Sequence, residues 1–151
     1  QRKIWCFIMD YLKVLVEEIH SVVVATVDEK GHPHTAVMDM MWEDGKTVYF
    51  LTADFKPLYK RLKEDGRVAL TGMTQGARTM DRKSISLTGQ VEWIGKEYLE
   101  KLLEANPYMY EIYPTEEGRS HLQVFRFKKA LGDFYDLTQL PPYQARFEIE
   151  G

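Results

Sequence analysis

The chain of 151 residues contains a single cysteine, Cys6. That excludes an intrachain disulfide, a Cys-rich zinc module and an iron–sulfur cluster held by this chain alone, and makes a reducing, cytoplasmic setting the simplest expectation. Long apolar runs are missing too: no segment approaches the roughly 20 residues that span a bilayer, so no membrane partner is expected. Neither sign of charge dominates, since 20 Lys+Arg against 23 Asp+Glu leave a net −3. A dedicated nucleic-acid binder carries a strong basic excess, so nucleic acid is not an expected partner. Low-complexity stretches, internal repeats and Ser/Gly linkers are absent, which makes a single domain over residues 9–151 the expectation. A chain of about 150 residues buries roughly 68–70% of its unfolded surface, leaving room for one cleft of cofactor size. Arg2 and Lys3 before a short apolar patch imitate the start of a signal peptide, but the patch is too short and no small-residue cleavage site follows. Met9-Asp10-Tyr11-Leu12-Lys13 reads as a natural start, so residues 1–8 are expected to be an extension of uncertain origin, without a function of their own.

The common catalytic motifs are also missing. No G-x-G-x-x-G follows a strand, Gly72 and Gly76 lack the Lys-Ser/Thr of a phosphate loop, and neither a G-x-S-x-G elbow nor an H-E-x-x-H pair occurs. His32 and His34 are two residues apart, but no Cys or carboxylate pattern completes a coordination set, so no metal is expected.

What is present is a succession of β patterns. Residues 8–20 carry Ile8, Leu12, Leu15, Val16 and Ile19 at helical spacing. Val22 to Val27 is a β-branched run of the kind buried on both faces, 34–42 reads as a second strand, and Asp44-Gly45 marks a hairpin leading into 47–52. A helix follows over 54–65, with Pro57 in its first turn and Gly66 at its end. Further strands are expected at 67–71, 84–94, 122–127 and, as a short piece, 134–137, with a helix at 96–105 and a turn-rich excursion over 106–118. In 84–94 the residues Ile85, Leu87, Val91 and Trp93 alternate with polar ones, the period of a half-buried strand. The sum is an α+β, mainly β fold: six to seven antiparallel strands, two to three flanking helices, and edges removed by closure into a barrel.

Chemistry is suggested between Thr52 and Arg67. Helix N-termini present free N–H groups and the positive end of a dipole. Lys56, in the first turn, is disfavoured there unless an anion is bound, and the Thr52 hydroxyl can donate nearby. The plainer reading is a solvated helix face of Lys60, Arg61 and Lys63. Met38, Met40, Met41 and Trp42 are soft or flat groups able to pack on a planar ring, or simply core.

Taken in order, several segments resemble one family. They are Val22-Val23-Val24-Ala25-Thr26-Val27-Asp28-Glu29-x-Gly31-x-Pro33-His34, Asp44-Gly45-Lys46-x-Val48-Tyr49-Phe50-Leu51-Thr52, Lys56-Pro57-Leu58-Tyr59-Lys60-x-Leu62, Gly66-Arg67-Val68-Ala69-Leu70, Leu87-Thr88-Gly89-Gln90-Val91-Glu92, Asn106-Pro107 and Val124-Phe125-x-Phe127. Over residues 9–137 the chain resembles the pyridoxamine 5′-phosphate oxidase-like, FMN-binding split-barrel family, and within it the small flavin-nucleotide-binding branch that includes nitroimidazole-resistance reductases. The resemblance implies a homodimer with FMN in clefts at the interface. It places the flavin ring against Ala36, Val37, Met38 and Asp39, puts Leu51 and Thr52 near the ring and ribityl chain, Lys56 at the phosphate, and Ser84 as a polar contact from the second chain. Lys56 is joined in this reading by Arg61 or Arg78. Ala36 stands where the oxidase proper carries a phosphate-binding Arg, and the Arg-Lys pair after the third strand is reduced to Lys56-Pro57-Leu58, so oxidation of pyridoxamine phosphate is not implied. The expected activity is electron transfer from a reduced nicotinamide cofactor, NAD(P)H, to a small organic acceptor, with His34 and Asp39 as catalytic candidates. The alternative is a flavin- or haem-binding module without turnover, with His34 or His121 as the axial donor of a haem, or a barrel that serves only as a dimeric interaction domain.

Overall fold

The computed structural model describes residues 8 and 10–150, so the expected N-terminal extension lies, apart from Ile8, outside the described residues. One antiparallel sheet holds eight strands: β1 (Ser21–Val27), β2 (Pro33–Asp39), β3 (Trp42–Glu43), β4 (Val48–Ala53), β5 (Arg67–Met73), β6 (Lys83–Gly95), β7 (Leu122–Asp136) and β8 (Tyr143–Glu150). Their spatial order is β2-β1-β5-β6-β7-β4-β3, with β8 added on β7. The two ends of that path, β2 and β3, are consecutive in the chain and separated only by Met40 and Met41. The sheet must therefore curl until its ends meet, and the cylinder is closed by covalent chain. This is the α+β split barrel expected from the sequence.

Two buried clusters follow from the curl. The barrel interior holds Val22, Val24, Val48, Phe50, Val68, Leu70, Ile85, Leu87, Phe125 and Phe127. The N-terminal helix α1, residues 10–19, contributes Tyr11, Leu12, Leu15 and Ile19 to this cluster, and α2 (Pro57–Glu64) contributes Leu58 and Leu62. Each such side chain is worth about 1.5–3 kcal/mol once buried. The opposite face of β4 offers Tyr49, Leu51 and Ala53 to a second cluster with Leu102 and Leu103 of α3 (Leu99–Ala105) and Met109 of α4 (Met109–Ile112). A further one-turn helix, α5 (Glu116–Arg119), is capped by the Thr115 hydroxyl, so the expected turn-rich excursion contains two short helices. No described helix is long and apolar enough to cross a membrane.

Several elements differ from the sequence reading. The strand expected at 34–42 breaks at Met40–Met41, because both side chains turn into the core where the chain passes from β1's side to β4's. The Val22–Val27 run is buried on one face only, Val23 being 44% exposed. The pieces expected at 122–127 and 134–137 are one 15-residue strand. Gly132 does not interrupt it: a Cβ there would overlap the ring of Phe147 on β8, so the glycine makes room for that ring. Gly132→Ala is expected to cost about 1–3 kcal/mol through that overlap, read as a lowered thermal midpoint. The last six residues of α1, Val14–Ile19, form a π-helix, and the His20 N–H reaches back five residues to the Leu15 carbonyl at 2.8 Å.

Candidate functional site

β4 is buried along its whole length and delivers the chain to the start of α2. Lys56 is the N-cap, extended at φ −88° and ψ 143°, and no side chain caps the helix. Pro57 brings no N–H and the Tyr59 N–H turns back to the Lys56 carbonyl at 3.1 Å, which leaves the Leu58 N–H without a side-chain acceptor, and the Lys56 side chain is exposed, without an ion pair among the described residues. Thr52 lies one turn of chain before it and is 3% exposed. Its hydroxyl is the one buried side-chain polar atom among the described residues that has no hydrogen-bond partner. An orphan of this kind costs about 1–3 kcal/mol and calls for a partner that the polypeptide does not supply. Leu51, next to it, faces the opposite side, into the cluster with α3.

Around the α2 start runs a chain of polar and aromatic groups of which the sequence reading named only His121 as a candidate. His121 Nδ1 is 2.9 Å from Asp54 Oδ1, Gln123 donates to the other Asp54 oxygen at 3.4 Å, and Trp93 Nε1 donates to Gln123 at 2.9 Å. The Phe55 ring meets His121 edge-on at 5.6 Å, and Lys63 lies 4.2 Å over the Trp93 ring. Of the two arginines considered beside Lys56, Arg78 is paired with the Asp81 carboxylate at 2.9 Å, whereas Arg61 donates only its Nε–H, to the Thr26 hydroxyl at 2.8 Å.

The second element of the site is β2, a sheet edge paired only with β1. Half of its backbone groups point away from that partner and are available to a ligand's polar rim. Period-two alternation splits its four candidate residues. Ala36 and Met38 pack against the interior cluster, whereas Val37 and Asp39 face outward. The register carries this outer face across the sheet. Val37 opposes Val23, which opposes Thr71, which opposes Ser86. Met73, Ser84, Leu131 and Tyr135 share that face. Val37 is 71% exposed and Leu131 61%, an apolar strip of the kind that marks an interaction surface. Ser84 is half-buried at the start of β6, on the same side as Asp39.

The two catalytic candidates do not converge. His34 pairs with Thr26 in the register and Asp39 with Ser21, about 16 Å apart along β2 and on opposite faces. His34 Nε2 is 2.8 Å from Asp28. That hydrogen bond, with the His32 amide, holds the Asp28 carboxyl down at about 2. Asp39 is bonded to the Ser21 hydroxyl at 2.6 Å and the Tyr108 hydroxyl at 2.6 Å. Burial pushes its carboxyl up, but these bonds and the His20 ring outweigh burial and leave it below the ordinary carboxylate range. Burial and the Asp39 carboxylate together raise Tyr108 well above an ordinary phenol. Tyr108 escaped the sequence reading, in which His20 has only the role of a residue ending the first helix, since nothing in the spacing links an excursion after α3 to the end of α1.

Comparison with known proteins gives the fold a family. The sequence profile of pyridoxamine 5′-phosphate oxidase matches residues 8–134. A solved NimC/NimA family protein from Clostridium acetobutylicum is similar over 97% of this chain and 96% of its own, at 21% identity and a TM-score of 0.77. A protein of the pyridoxinephosphate oxidase family from the same organism, related to general stress protein 26, matches 96% of each chain at 20% identity, with a TM-score of 0.66. A heme binding protein from Mycobacterium smegmatis is similar over 91% of this chain at 13% identity and a TM-score of 0.68; the chain spans 57% of that protein's length. No curated protein matches. With the profile covering most of the sequence and the curled sheet closed through Met40–Met41, the chain belongs to the pyridoxamine 5′-phosphate oxidase family.

Proposed function

We propose that the protein is a homodimeric FMN-binding oxidoreductase that passes electrons from a reduced nicotinamide cofactor to a small organic acceptor. The observation that carries this reading is the orphaned Thr52 hydroxyl beside an uncapped helix start bearing an unpaired lysine. Lys56 and the Leu58 N–H at the start of α2 hold the phosphate, by charge and by dipole. Thr52 donates to the ribityl side of the cofactor, and Leu51, on the other face of β4, anchors the strand against α3. The free edge of β2, over Ala36, Val37 and Met38, lies along the ring, with Asp39 at its end. FMN, when bound, supplies the redox chemistry; the chain binds, orients and shields it. Reading the strip of Val23, Val37, Met73, Leu131 and Tyr135 as the dimer face brings Ser84 from the second copy toward the cofactor.

Titration of the protein with FMN, followed by flavin fluorescence, tests the reading, and light scattering should return twice 17.7 kDa. Thr52→Val sharpens the test because it keeps the shape and removes the hydroxyl. It is expected to weaken FMN binding about 2- to 12-fold, the worth of one neutral hydrogen bond. The same substitution is expected to raise the stability of the flavin-free protein by about 1 kcal/mol, since the orphan is gone. No FMN binding, or a monomer, overturns the proposal.

A second reading has one observation in its favour. The ring of His121 is oriented by Asp54, as metal-ligating histidines are by carboxylates, and it stands beside the exposed Phe55. The mycobacterial neighbour is described as a heme binding protein. Haem titration separates the readings: a Soret band that disappears in His121→Ala selects haem, and flavin bands select FMN.

A further inference from the structure

We propose that Tyr108 and His20 are positioning residues that tie the Asp39 carboxylate into a three-membered proton chain at the outer end of β2. The chain's existence is independent of the flavin reading; its use at a bound flavin rests on that reading.

The atoms are close and their roles follow from donor arithmetic. The Tyr108 oxygen lies 2.6 Å from Asp39 Oδ2 and 2.6 Å from His20 Nε2. His20 Nδ1 lies 3.1 Å from the Val16 carbonyl. A carbonyl only accepts, so Nδ1 carries a proton. An ionised carboxylate only accepts, so the single phenol proton is donated to Asp39. The remaining bond, between Nε2 and the phenol oxygen, then needs a proton on Nε2. In this arrangement the ring donates from both nitrogens, the state of a protonated imidazole, and Asp39 Oδ2, 3.4 Å from Nε2, balances its charge. The Ser21 hydroxyl fills the other carboxylate oxygen at 2.6 Å.

Transfer along the chain balances without any external reagent. An O–H bond forms at Asp39 Oδ2 as the Tyr108 O–H breaks. An O–H bond re-forms at Tyr108 as the His20 Nε2–H breaks. Asp39 ends neutral and able to donate, His20 ends neutral, and no electron moves.

The backbone is bent to make these contacts. His20 adopts φ 63° and ψ −66°, a strained conformation for a residue with a Cβ. It is held there by its N–H on Leu15 and by its carbonyl, which accepts the Met40 N–H at 2.7 Å. Such strain, and π-helical turns like the one that precedes it, concentrate at functional sites. Tyr108 is fixed independently: buried Asn106, two residues earlier, donates to the carbonyls of Met41 and Leu102, both at 2.8 Å. The other charged groups around the chain are Glu17 and Glu18 on α1, Lys83 on β6 at 3.4 Å from Glu18, and Glu43, which lines the adjoining recess with Glu17, Met41 and Asn106. None of these is bonded to His20, Tyr108 or Asp39 among the described residues.

NMR titration of the Asp39 carboxyl carbon in the full chain, without flavin, tests the chain directly. Tyr108→Phe keeps the ring and removes the hydroxyl, and the Asp39 midpoint is expected to rise toward the ordinary carboxyl value. His20→Gln is expected to raise it as well, but by less once Tyr108→Phe is in place than in the wild type, because the phenol carries part of the coupling and the direct 3.4 Å pair carries the rest. Midpoints that stay put in Tyr108→Phe, in a protein whose amide spectrum is otherwise native, overturn the chain, as does full additivity of the two substitutions. FMN titration of the same variants keeps the flavin reading separate. A wild-type protein that takes no FMN while its Asp39 midpoint responds leaves the chain standing and ends its flavin role. If FMN is taken up, the pH profile of flavin reduction is expected to shift in Tyr108→Phe in the same direction as the Asp39 midpoint, with FMN affinity unchanged.

Discussion

Phe125→Ala is expected to destabilise the protein by about 3–5 kcal/mol, the range for deleting a fully enclosed aromatic side chain. Phe125 is 0% exposed at the middle of the barrel interior. Its ring stacks on Phe50 across β4 and β7 at 5.8 Å and 17°, and meets Tyr59 of α2 edge-on at 6.0 Å. The substitution therefore opens a cavity and loosens the helix whose first turn forms the candidate phosphate site. A loss of that size is a large fraction of the roughly 5–15 kcal/mol that holds a domain folded, and lowers the thermal midpoint by on the order of 10 °C. Phe125→Leu, which keeps most of the bulk, is expected to cost about 1 kcal/mol or slightly more. Calorimetry on the two variants separates the cavity from the mere loss of an aromatic ring. Equal midpoints for wild type and Phe125→Ala would contradict the packing described.

Lys56→Ala is expected to weaken FMN binding about 10- to 100-fold, the loss of one charge-assisted contact of roughly 1.5–3 kcal/mol. The fold is expected to be untouched, because the side chain is exposed and has no ion pair among the described residues. The sign of the stability change is itself informative. A cation at a helix N-terminus opposes the dipole, so the flavin-free variant is expected to be more stable by a few tenths of a kcal/mol. A lysine that lowers stability when the site is empty and raises affinity when it is filled is an anion-binding group. Unchanged flavin affinity in Lys56→Ala would move the phosphate elsewhere on the chain.

Much of this architecture is legible in the residues. The alternation Ile85, Leu87, Val91, Trp93 marks β6, and Pro57 with Gly66 brackets α2. Where the reading falls short, the reasons are local. Lys128, Lys129 and Gly132 look like an interruption, yet β7 runs through them because β6 and β8 pair on both sides, one with a bulge at Gln90/Val91. β8 carries its own period, with Ala145, Phe147 and Ile149 facing in between Gln144, Arg146 and Glu148, but the proline-rich approach obscures it. The phosphate end of the site is readable because a helix start, its lysine and its threonine are adjacent in sequence. The Asp39 end is legible only in Asp39 itself: the β1–β2 hairpin sets His20 beside it, and Tyr108 arrives only when the excursion after α3 folds back over Met41.

The two methionines that join β2 to β3 also decide where this chain can be cut. New termini in the exposed Asp28–His32 turn would leave every strand beside its neighbour, since β1 and β2 remain zipped along seven residue pairs. A break between Met40 and Met41 would cut the covalent link between the two ends of the strand order. The sheet could then unroll and take Tyr108 away, while β1 and β2 would still hold His20 beside Asp39.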